Sequence, residues 1–234
     1  MNPADFRIFT TFRYDPELSQ VHNKDGLGHA GWNYDNSSPI YMLDYHRDRL
    51  LRAATYWKWE AAITALAGDA GLDGLQNYIL QHAGDAEKPM RMRLVVDEQG
   101  SFEHVTAPTY NVALSNLFPV DLPPPGQSNE ASKRPEFVVY VDRGKTLSSE
   151  FTHFKTTNRS MYEAARERFN IQLPDSKEVL TINEANNTIM EGSTTTPYFW
   201  RNGRWVTPPV APRYSAGSDS GGNDGTTRRW ALEQ

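Results

Sequence analysis

Hydrophobic positions in the first half of the chain recur with the two-residue period of strands and the period of about 3.6 residues typical of helices. Phe6–Tyr14 combines aromatic and β-branched residues and predicts a strand, and Tyr41–Leu43 predicts a shorter one. The segment Tyr45–Ala67 predicts one amphipathic helix that ends at Gly68. Its apolar stripe consists of Leu50, Leu51, Ala54, Trp57, Ala61 and Leu66.

A second helix and a hairpin are predicted next. The apolar spacing indicates a helix that starts at Asp73 and ends at Gly84. Met90–Val96 and Ser101–Thr106 are strand-like runs on either side of a turn at 97–100. The first half of the chain is therefore predicted to mix helices with strands.

The second half is predicted to be richer in strands. Phe137–Val141 is an apolar run suited to a buried strand, and an amphipathic helix begins near Ser160. Asn202-Gly203 favours a tight hairpin turn, and a final helix begins near Thr226. Four more short strands are predicted at Val179–Ile182, Thr188–Met190, Pro197–Trp200 and Arg204–Val206.

Polar and proline-rich segments divide the chain. Asp15–Pro39 is rich in Gly, Asn and Ser and predicts a long loop, and Ser215–Gly225 predicts a flexible one. Pro108–Pro135 contains several prolines and a polar run, which is typical of a linker. We therefore predict a first lobe at residues 1–119, a linker at 120–135 and a second lobe at 136–234.

Composition excludes several classes of function. The net charge of −5 gives no electrostatic reason to expect nucleic acid or an anionic membrane as a partner. With no cysteine in 234 residues, disulfides, thiolate metal sites and cysteine nucleophiles are excluded, and we expect no metal ion. The amino end lacks the pattern of a signal peptide and no apolar run is long enough to span a membrane, so the expected location is the cytoplasm.

Lys155 is the first candidate for a reactive residue. It stands where the short run Phe151–Lys155, interpreted as extended, gives way to a helical pattern. A lysine at such a junction that faces a cavity loses solvation and has a lowered pKa, which an amine needs to form a Schiff base with an aldehyde. The local pattern leaves open the ordinary alternative, a solvated lysine at an element boundary.

Four stretches, in this order, resemble the fold-type IV pyridoxal phosphate (PLP) enzymes, a family that includes branched-chain aminotransferases, D-amino-acid aminotransferases and aminodeoxychorismate lyases. They are His46-Arg47-Asp48-Arg49-Leu50, Lys155-Thr156-Thr157-Asn158-Arg159, Glu191-Gly192-Ser193-Thr194-Thr195-Thr196, and Thr207-Pro208-Pro209 followed by Gly225-Thr226-Thr227-Arg228. The resemblance covers nearly the whole chain.

The resemblance implies a catalytic lysine and two charged cofactor ligands. Lys155 matches the lysine that forms the Schiff base and later moves protons. Arg49 matches the arginine that binds the cofactor phosphate, a role suited to a planar, always-charged guanidinium. Glu191 matches the carboxylate that pairs with the protonated pyridine nitrogen. Taken locally, Arg49 also fits the polar face of an amphipathic helix, and Glu191 a solvated strand end.

Three threonines are further implied cofactor ligands. Thr194 belongs to the run of small hydroxyl residues after Glu191, which allows close approach of a flat ring. Thr226 and Thr227 match a loop whose N–H groups and hydroxyl hold the phosphate at a helix N-terminus. The local alternative for Gly225-Thr226-Thr227 is a simple helix cap.

Within the family, two features are most similar to aminodeoxychorismate lyases: Phe9-Thr10-Thr11 followed by Arg13, and Lys155-x-x-Asn158-Arg159. We therefore expect a 4-amino-4-deoxychorismate lyase that releases pyruvate and 4-aminobenzoate. A class IV aminotransferase of the branched-chain or D-amino-acid type and a non-catalytic truncated homologue are the alternatives. The candidate ligands of the small amino substrate are Thr11, Arg13, Arg91 and Arg93, against the alternative that these arginines are structural.

The resemblance also implies an α+β fold of two lobes. The first is a small α/β sandwich and the second a β-rich pseudo-barrel that binds PLP, and the resemblance implies that two copies of the chain form a homodimer. Members of the family usually continue further beyond the Gly-Thr-x-Arg motif, so we expect the carboxyl end to be short. Without the resemblance, the pattern alone indicates a plain α+β domain of undefined function.

Overall fold

Two units make up the chain in the computed structural model, which describes residues 6–127, 136–173, 175–215 and 221–234. The first unit contains Met1–Val120, Lys155–Thr157 and Arg229–Gln234, and the second contains Asp121–Phe154 and Asn158–Arg228. Parts of the predicted linker and of the predicted flexible loop, at 128–135 and 216–220, lie outside the described residues.

A three-stranded antiparallel sheet organises the first unit. Its strands are β1 (Ile8–Tyr14), β2 (Met90–Val96) and β3 (Phe102–Pro108), in that order. They confirm the predicted first strand and hairpin. Thr156 forms a bridge to Ile8, so the Lys155–Thr157 segment borders the other edge of β1.

Helical segments between β1 and β2 differ from the predicted long loop. Two short 3₁₀ helices, Pro16–Asn23 and Gly28–Ala30, precede α1 (Trp32–Asn36). Buried Asn33 donates to the carbonyls of Ser38 and Ile40 and accepts from the N–H of Met42. The loop prediction was wrong because these contacts, from one side chain to backbone groups five to nine residues further on, are invisible in a polar composition.

The predicted single helix at 45–67 is two helices, α2 (Leu43–Trp57) and α3 (Glu60–Leu66). Lys58 has a left-handed backbone with φ of 57°, which ends α2 and turns the chain so that Trp59 is buried. The short strand predicted at Tyr41–Leu43 is also wrong, since α2 begins there. α4 (Gly68–Ala83) starts before the predicted Asp73 and ends at Gly84 as predicted.

The core of the first unit includes a cluster of apolar residues from several segments. Its buried members are Leu18, Val21, Leu27, Ala30, Tyr41, Met42, Leu114, Phe118 and Trp230. Leu114 belongs to α5 (Leu114–Leu117). Residues of the predicted loop therefore supply part of this core.

The second unit contains a sheet in the order β4 (Val138–Val141), β5 (Lys177–Ile182) and β6 (Ile189–Gly192). β4 pairs parallel to β5, and β6 pairs antiparallel to it. The predicted burial of Phe137–Val141 is wrong: β4 is an edge strand of this sheet, and its valines are about half exposed.

Short elements complete the second unit. Its helices are α6 (Glu150–His153), where an extended run was predicted, and α7 (Ser160–Glu167). β7 (Phe199–Arg201) and β8 (Arg204–Val206) form the predicted hairpin, with positive φ at Asn202 and Gly203. The final helix α8 (Thr226–Glu233) begins at the predicted position in this unit, and its residues from Arg229 onward belong to the first unit. Among the described residues, no helix has the length and apolar character needed to cross a membrane.

Candidate functional site

Lys155 is held against strand β1 in the first unit. Its carbonyl accepts a hydrogen bond of 2.9 Å from the N–H of Phe9, and the N–H of Thr157 donates to the carbonyl of Arg7. The Lys155 Nζ atom lies 5.2 Å from the centroid of the Phe9 ring. The backbone of Lys155 is thus fixed on both sides by pairing with β1, while its partly buried amine lies over an aromatic face.

Arginines share that face of the sheet. Side chains alternate along a strand, so Phe9, Thr11 and Arg13 of β1 lie on one face, and their cross-strand partners lie there too. Thr11 is opposite Arg93, and Arg13 is opposite Arg91. The guanidinium carbon of Arg93 lies 4.0 Å from the Phe9 centroid, which brings it over the same ring as the Lys155 amine.

The other two candidate arginines are placed differently. Arg13 is bound to Asp15, with an ion-pair distance of 2.7 Å, and donates to the carbonyl of Tyr110. Arg91 is exposed. Of the predicted substrate ligands, Arg93 therefore contacts the same ring as the lysine, and Thr11 is its cross-strand partner.

The opposite face of β1 carries a buried polar group of three side chains. Arg49, only 7% exposed, donates to the hydroxyl of Thr10, whose Oγ1 lies 2.6 Å from Nδ1 of His46. Burial, followed by the charges of Arg49 and Lys155, holds the pKa of His46 well below its usual range. Arg49 is thus a buried cation beside a neutral histidine, which is inconsistent with the solvated-face alternative.

Glu191 lies on β6 in the second unit and is 8% exposed. Its Oε1 accepts a hydrogen bond from the hydroxyl of Tyr162, and its Oε2 accepts one of 3.1 Å from the N–H of Asn223. Burial and then the Glu191 charge raise the pKa of the Tyr162 phenol, which remains a donor. Glu191 is therefore a buried, oriented carboxylate rather than a solvated strand end.

Glu178 on β5 is a second buried carboxylate, and the loop after Glu191 closes around it. It accepts six hydrogen bonds, from the N–H of Val179, the N–H and hydroxyl of both Ser193 and Thr194, and the hydroxyl of Thr195. Burial raises its pKa, but these donors outweigh burial and lower it. Both polar donors of Thr194, a predicted cofactor ligand, are directed at this carboxylate.

The predicted threonine pair stands at the start of α8. Thr226 is buried and Thr227 is exposed. A Cβ on Gly225 would lie 3.3 Å from Oγ1 of Thr196, so the backbone approaches this side chain closely. The Gly-Thr-Thr sequence thus forms a closely packed helix start.

Four residues near these groups escaped the sequence-based site: His46, Tyr162, Glu178 and Asn223. Glu178 had a usable signal, since it is a lone carboxylate at the start of the apolar run Val179–Ile182. Tyr162 lay inside the predicted helix but pairs with a residue 29 positions away. No local pattern predicts such a pairing.

The sequence matches the model of the amino-transferase class IV family over residues 31–234. No curated protein matches the chain. These findings confirm the resemblance from the four motifs and agree with its implied cofactor, because class IV aminotransferases depend on PLP.

Solved structures with a similar fold come from bacteria and archaea. A candidate amino-acid aminotransferase from Mesorhizobium loti has a TM-score of 0.60 and 21% identity, over 98% of this chain and 83% of that one. A candidate 4-amino-4-deoxychorismate lyase from Legionella pneumophila has a TM-score of 0.59 and 14% identity, over 97% and 68%. A branched-chain aminotransferase from Thermoproteus uzoniensis has a TM-score of 0.56 and 18% identity, over 97% and 64%.

At these identities the likeness shows the fold, and it confirms the predicted α+β class. This chain spans less than two thirds of the length of the archaeal enzyme. The similar structures include both a lyase candidate and aminotransferases, so the type of reaction has to be argued from the residues.

Proposed function

We propose that this chain, which belongs to the class IV aminotransferase family of PLP-dependent enzymes, is a 4-amino-4-deoxychorismate lyase. The observation that carries the proposal is the shared position of the Lys155 amine and the Arg93 guanidinium over the Phe9 ring. A reacting amine and a fixed guanidinium that both contact one ring suit a substrate that carries a carboxylate near its reacting carbon. Aminodeoxychorismate carries two carboxylates.

The charged residues fit PLP. The buried guanidinium of Arg49 suits a phosphate, and the buried carboxylate of Glu191 suits a protonated pyridine nitrogen. Each of these buried charges would gain a group of opposite charge on binding the cofactor. Lys155 supplies the amine for the cofactor aldehyde, and the start of α8 at Thr226 supplies donors for the phosphate.

Bound PLP supplies an electron sink for the carbanion formed at the substrate carbon that bears the amine. Lys155 acts as the general base that takes the proton from C4 of the substrate. The enolpyruvyl group then leaves from C3 with its electron pair, and the ring becomes aromatic. The enol takes up a proton to give pyruvate. Atoms balance without water or a second substrate, so the products are 4-aminobenzoate and pyruvate.

Arg93 binds and orients the substrate in this proposal. Its guanidinium is fixed by stacking on Phe9, and Thr11 lies opposite it on β1. Fixing the carboxylate holds C4 in reach of Lys155, which lowers the entropic part of the barrier. Arg13 has a structural role here, because it is already paired with Asp15.

The test is to incubate purified protein and PLP with aminodeoxychorismate in the absence of any keto acid. We expect pyruvate and 4-aminobenzoate in equal amounts, a visible absorption band that borohydride abolishes, and loss of both in Lys155→Ala. Turnover only when a keto acid is added would instead identify an aminotransferase. A folded protein that shows no visible band with saturating PLP would identify a non-catalytic homologue and overturn the proposal.

A further inference from the structure

A buried contact in the second unit joins α7 to β6. The hydroxyl of Tyr162 donates to Oε1 of Glu191, and both side chains are buried, at 3% and 8% exposed. A second possible acceptor, the carbonyl oxygen of Thr152, lies 3.5 Å from the same hydroxyl. A phenol has one hydrogen to donate, and the carboxylate is the closer and charged acceptor, so the bond goes to Glu191.

Tyr162 is itself fixed from a second side. The Arg159 guanidinium lies 4.4 Å from the centroid of the Tyr162 ring and donates a 2.6 Å hydrogen bond to the carbonyl of Ser193. This arginine therefore ties the tyrosine ring to the segment that directly follows Glu191. The phenol reaches the carboxylate from a rigid position.

The far oxygen of Glu191 is held by the backbone. Oε2 accepts from the N–H of Asn223, whose side-chain amide donates a 2.9 Å hydrogen bond to the carbonyl of His153. One donor on each oxygen fixes both the position of the carboxylate and its rotation about the last side-chain bond. Without these hydrogen bonds the glutamate side chain would rotate, and fixing it in one orientation on binding would cost conformational entropy.

We infer that Tyr162 is a positioning residue: its hydroxyl donates to Oε1 of Glu191 and holds that carboxylate ionised and in one orientation, in which it would pair with a protonated pyridine nitrogen of the cofactor. The inference rests on the proposed function. Among the described residues of this unit, two glutamates are buried, but Glu178 accepts six hydrogen bonds from its own strand and from the loop after Glu191. Glu178 thus orders the loop, whereas the Tyr162 contact concerns the glutamate predicted to bind PLP.

The physical effect of the phenol is to stabilise the carboxylate form. A hydrogen bond to a charged acceptor is worth more than one between neutral groups. An ionised Glu191 would keep a proton on the pyridine nitrogen of bound PLP, which the cofactor needs in order to act as an electron sink. Loss of the phenol makes the carboxylate more basic and draws that proton toward Glu191.

The test uses Tyr162→Phe, Glu191→Gln and the double variant, with the PLP dissociation constant measured by spectral titration. We expect Tyr162→Phe to weaken PLP binding about tenfold, as loss of one hydrogen bond to a charged group predicts. We also expect a shifted visible band. In the Glu191→Gln background the tyrosine substitution should change the dissociation constant less than about twofold, because the charged acceptor is gone.

A second readout needs no cofactor. Urea unfolding of the four apoproteins gives the coupling between the two side chains directly, and we expect the two single effects to be clearly non-additive. Tyr41→Phe is the matched control, since the buried Tyr41 hydroxyl donates to the carbonyl of Leu117 in the other unit. It should cost comparable stability and leave PLP affinity and the visible band unchanged.

The outcomes separate the two claims. Equal effects of Tyr162→Phe with and without Glu191, or an unchanged band, would show a packing role only and overturn the inference. If the wild-type protein binds PLP, shows the expected coupling and yet releases no pyruvate, the inference stands and the proposed lyase activity fails. A wild-type protein that binds no PLP overturns both.

Discussion

Nδ1 of His46 lies 2.6 Å from Oγ1 of Thr10, and both residues are at most 2% exposed. Arg49 donates to the same hydroxyl oxygen. The hydroxyl hydrogen of Thr10 is then directed at His46, which accepts it as a neutral imidazole. In this arrangement Arg49 carries the positive charge and His46 is neutral. Because protonation of His46 would add a second buried positive charge, the stability of the first unit should be sensitive to acid.

We predict that stability falls with pH below about 6.5 through His46. Its pKa is lowered well below the usual value by burial first, then by Arg49 and Lys155. The unfolded chain binds a proton near pH 6.5 and the folded chain does not, so unfolding becomes more favourable as pH falls, by at most about 1.4 kcal/mol per pH unit. Urea unfolding between pH 7.5 and 5 at about half-unit steps measures this slope.

The variant that isolates this effect is His46→Asn, whose amide oxygen can still accept from Thr10. It should be less stable at neutral pH but should lose the histidine contribution to the slope. His82→Asn is the control, because that side chain is exposed, and it should keep the wild-type slope. Identical slopes for all three proteins would contradict a buried neutral His46.

We predict a separate acid transition from Glu178. Burial raises its pKa, and the donors from Ser193, Thr194, Val179 and Thr195 lower it to below the usual value. The stability that it contributes is present above about pH 4.3, the unfolded value, and is lost as pH falls through the lower folded value. Glu178→Gln removes this loss and costs about 3 kcal/mol at neutral pH, because the donors lose a charged acceptor.

Unfolding from pH 6 to 2.5, about the range in which carboxylates titrate, checks this prediction. Glu184→Gln is the matched control, since Glu184 is exposed in the turn after β5. It should change stability by less than about 0.5 kcal/mol. A Glu178→Gln protein as stable as wild type at neutral pH would show that the loop does not depend on this carboxylate.

We predict that Gly192 tolerates no side chain. A Cβ there would lie 2.4 Å from Oγ1 of Thr195 and 3.0 Å from Cδ of Glu178, inside contact distance of the group that orders the loop. Gly192→Ala should therefore cost about 1–3 kcal/mol, as overpacking does. The thermal midpoint of the apoprotein is the measurement.

Gly74→Ala is the control for that substitution. Gly74 lies inside α4, and a Cβ there meets no atom within 4 Å. Alanine is the better helix former, so this variant should be up to about 1 kcal/mol more stable. The prediction fails if both glycine variants shift the midpoint in the same direction.

Elements whose partners are close in sequence could be predicted. The β2–β3 and β7–β8 hairpins and the β1 strand follow from local alternation and from turns such as Asn202-Gly203. The break after Trp57 could not, because Trp59 is buried and its ring packs against that of Phe6, which is far away in the sequence. Nor does the pattern of β4 show that its valines are exposed, since their exposure depends on which other parts of the chain pack against the two faces of the sheet.

The candidate site divides in the same way. Four motifs taken together predicted Lys155, Arg49 and Glu191, whereas the local pattern at each residue left an ordinary alternative open. The residues that orient them come from elsewhere in the chain: Tyr162 acts on Glu191 across 29 positions, and Thr10 on Arg49 across 39. Predicting such pairs needs the fold.

We predict that Arg93 determines substrate affinity. Its guanidinium lies 4.0 Å from the Phe9 centroid, over the ring that the Lys155 amine also contacts. Arg93→Gln keeps a polar side chain but removes the charge, and loss of a charge-assisted bond to a carboxylate should raise KM about tenfold or more. The value of kcat should change less, since the lysine is untouched. Arg201→Gln, an exposed arginine on β7, is the control and should leave KM unchanged. Steady-state pyruvate release measures both constants, and an unchanged KM in Arg93→Gln would remove this residue from the proposed substrate contacts.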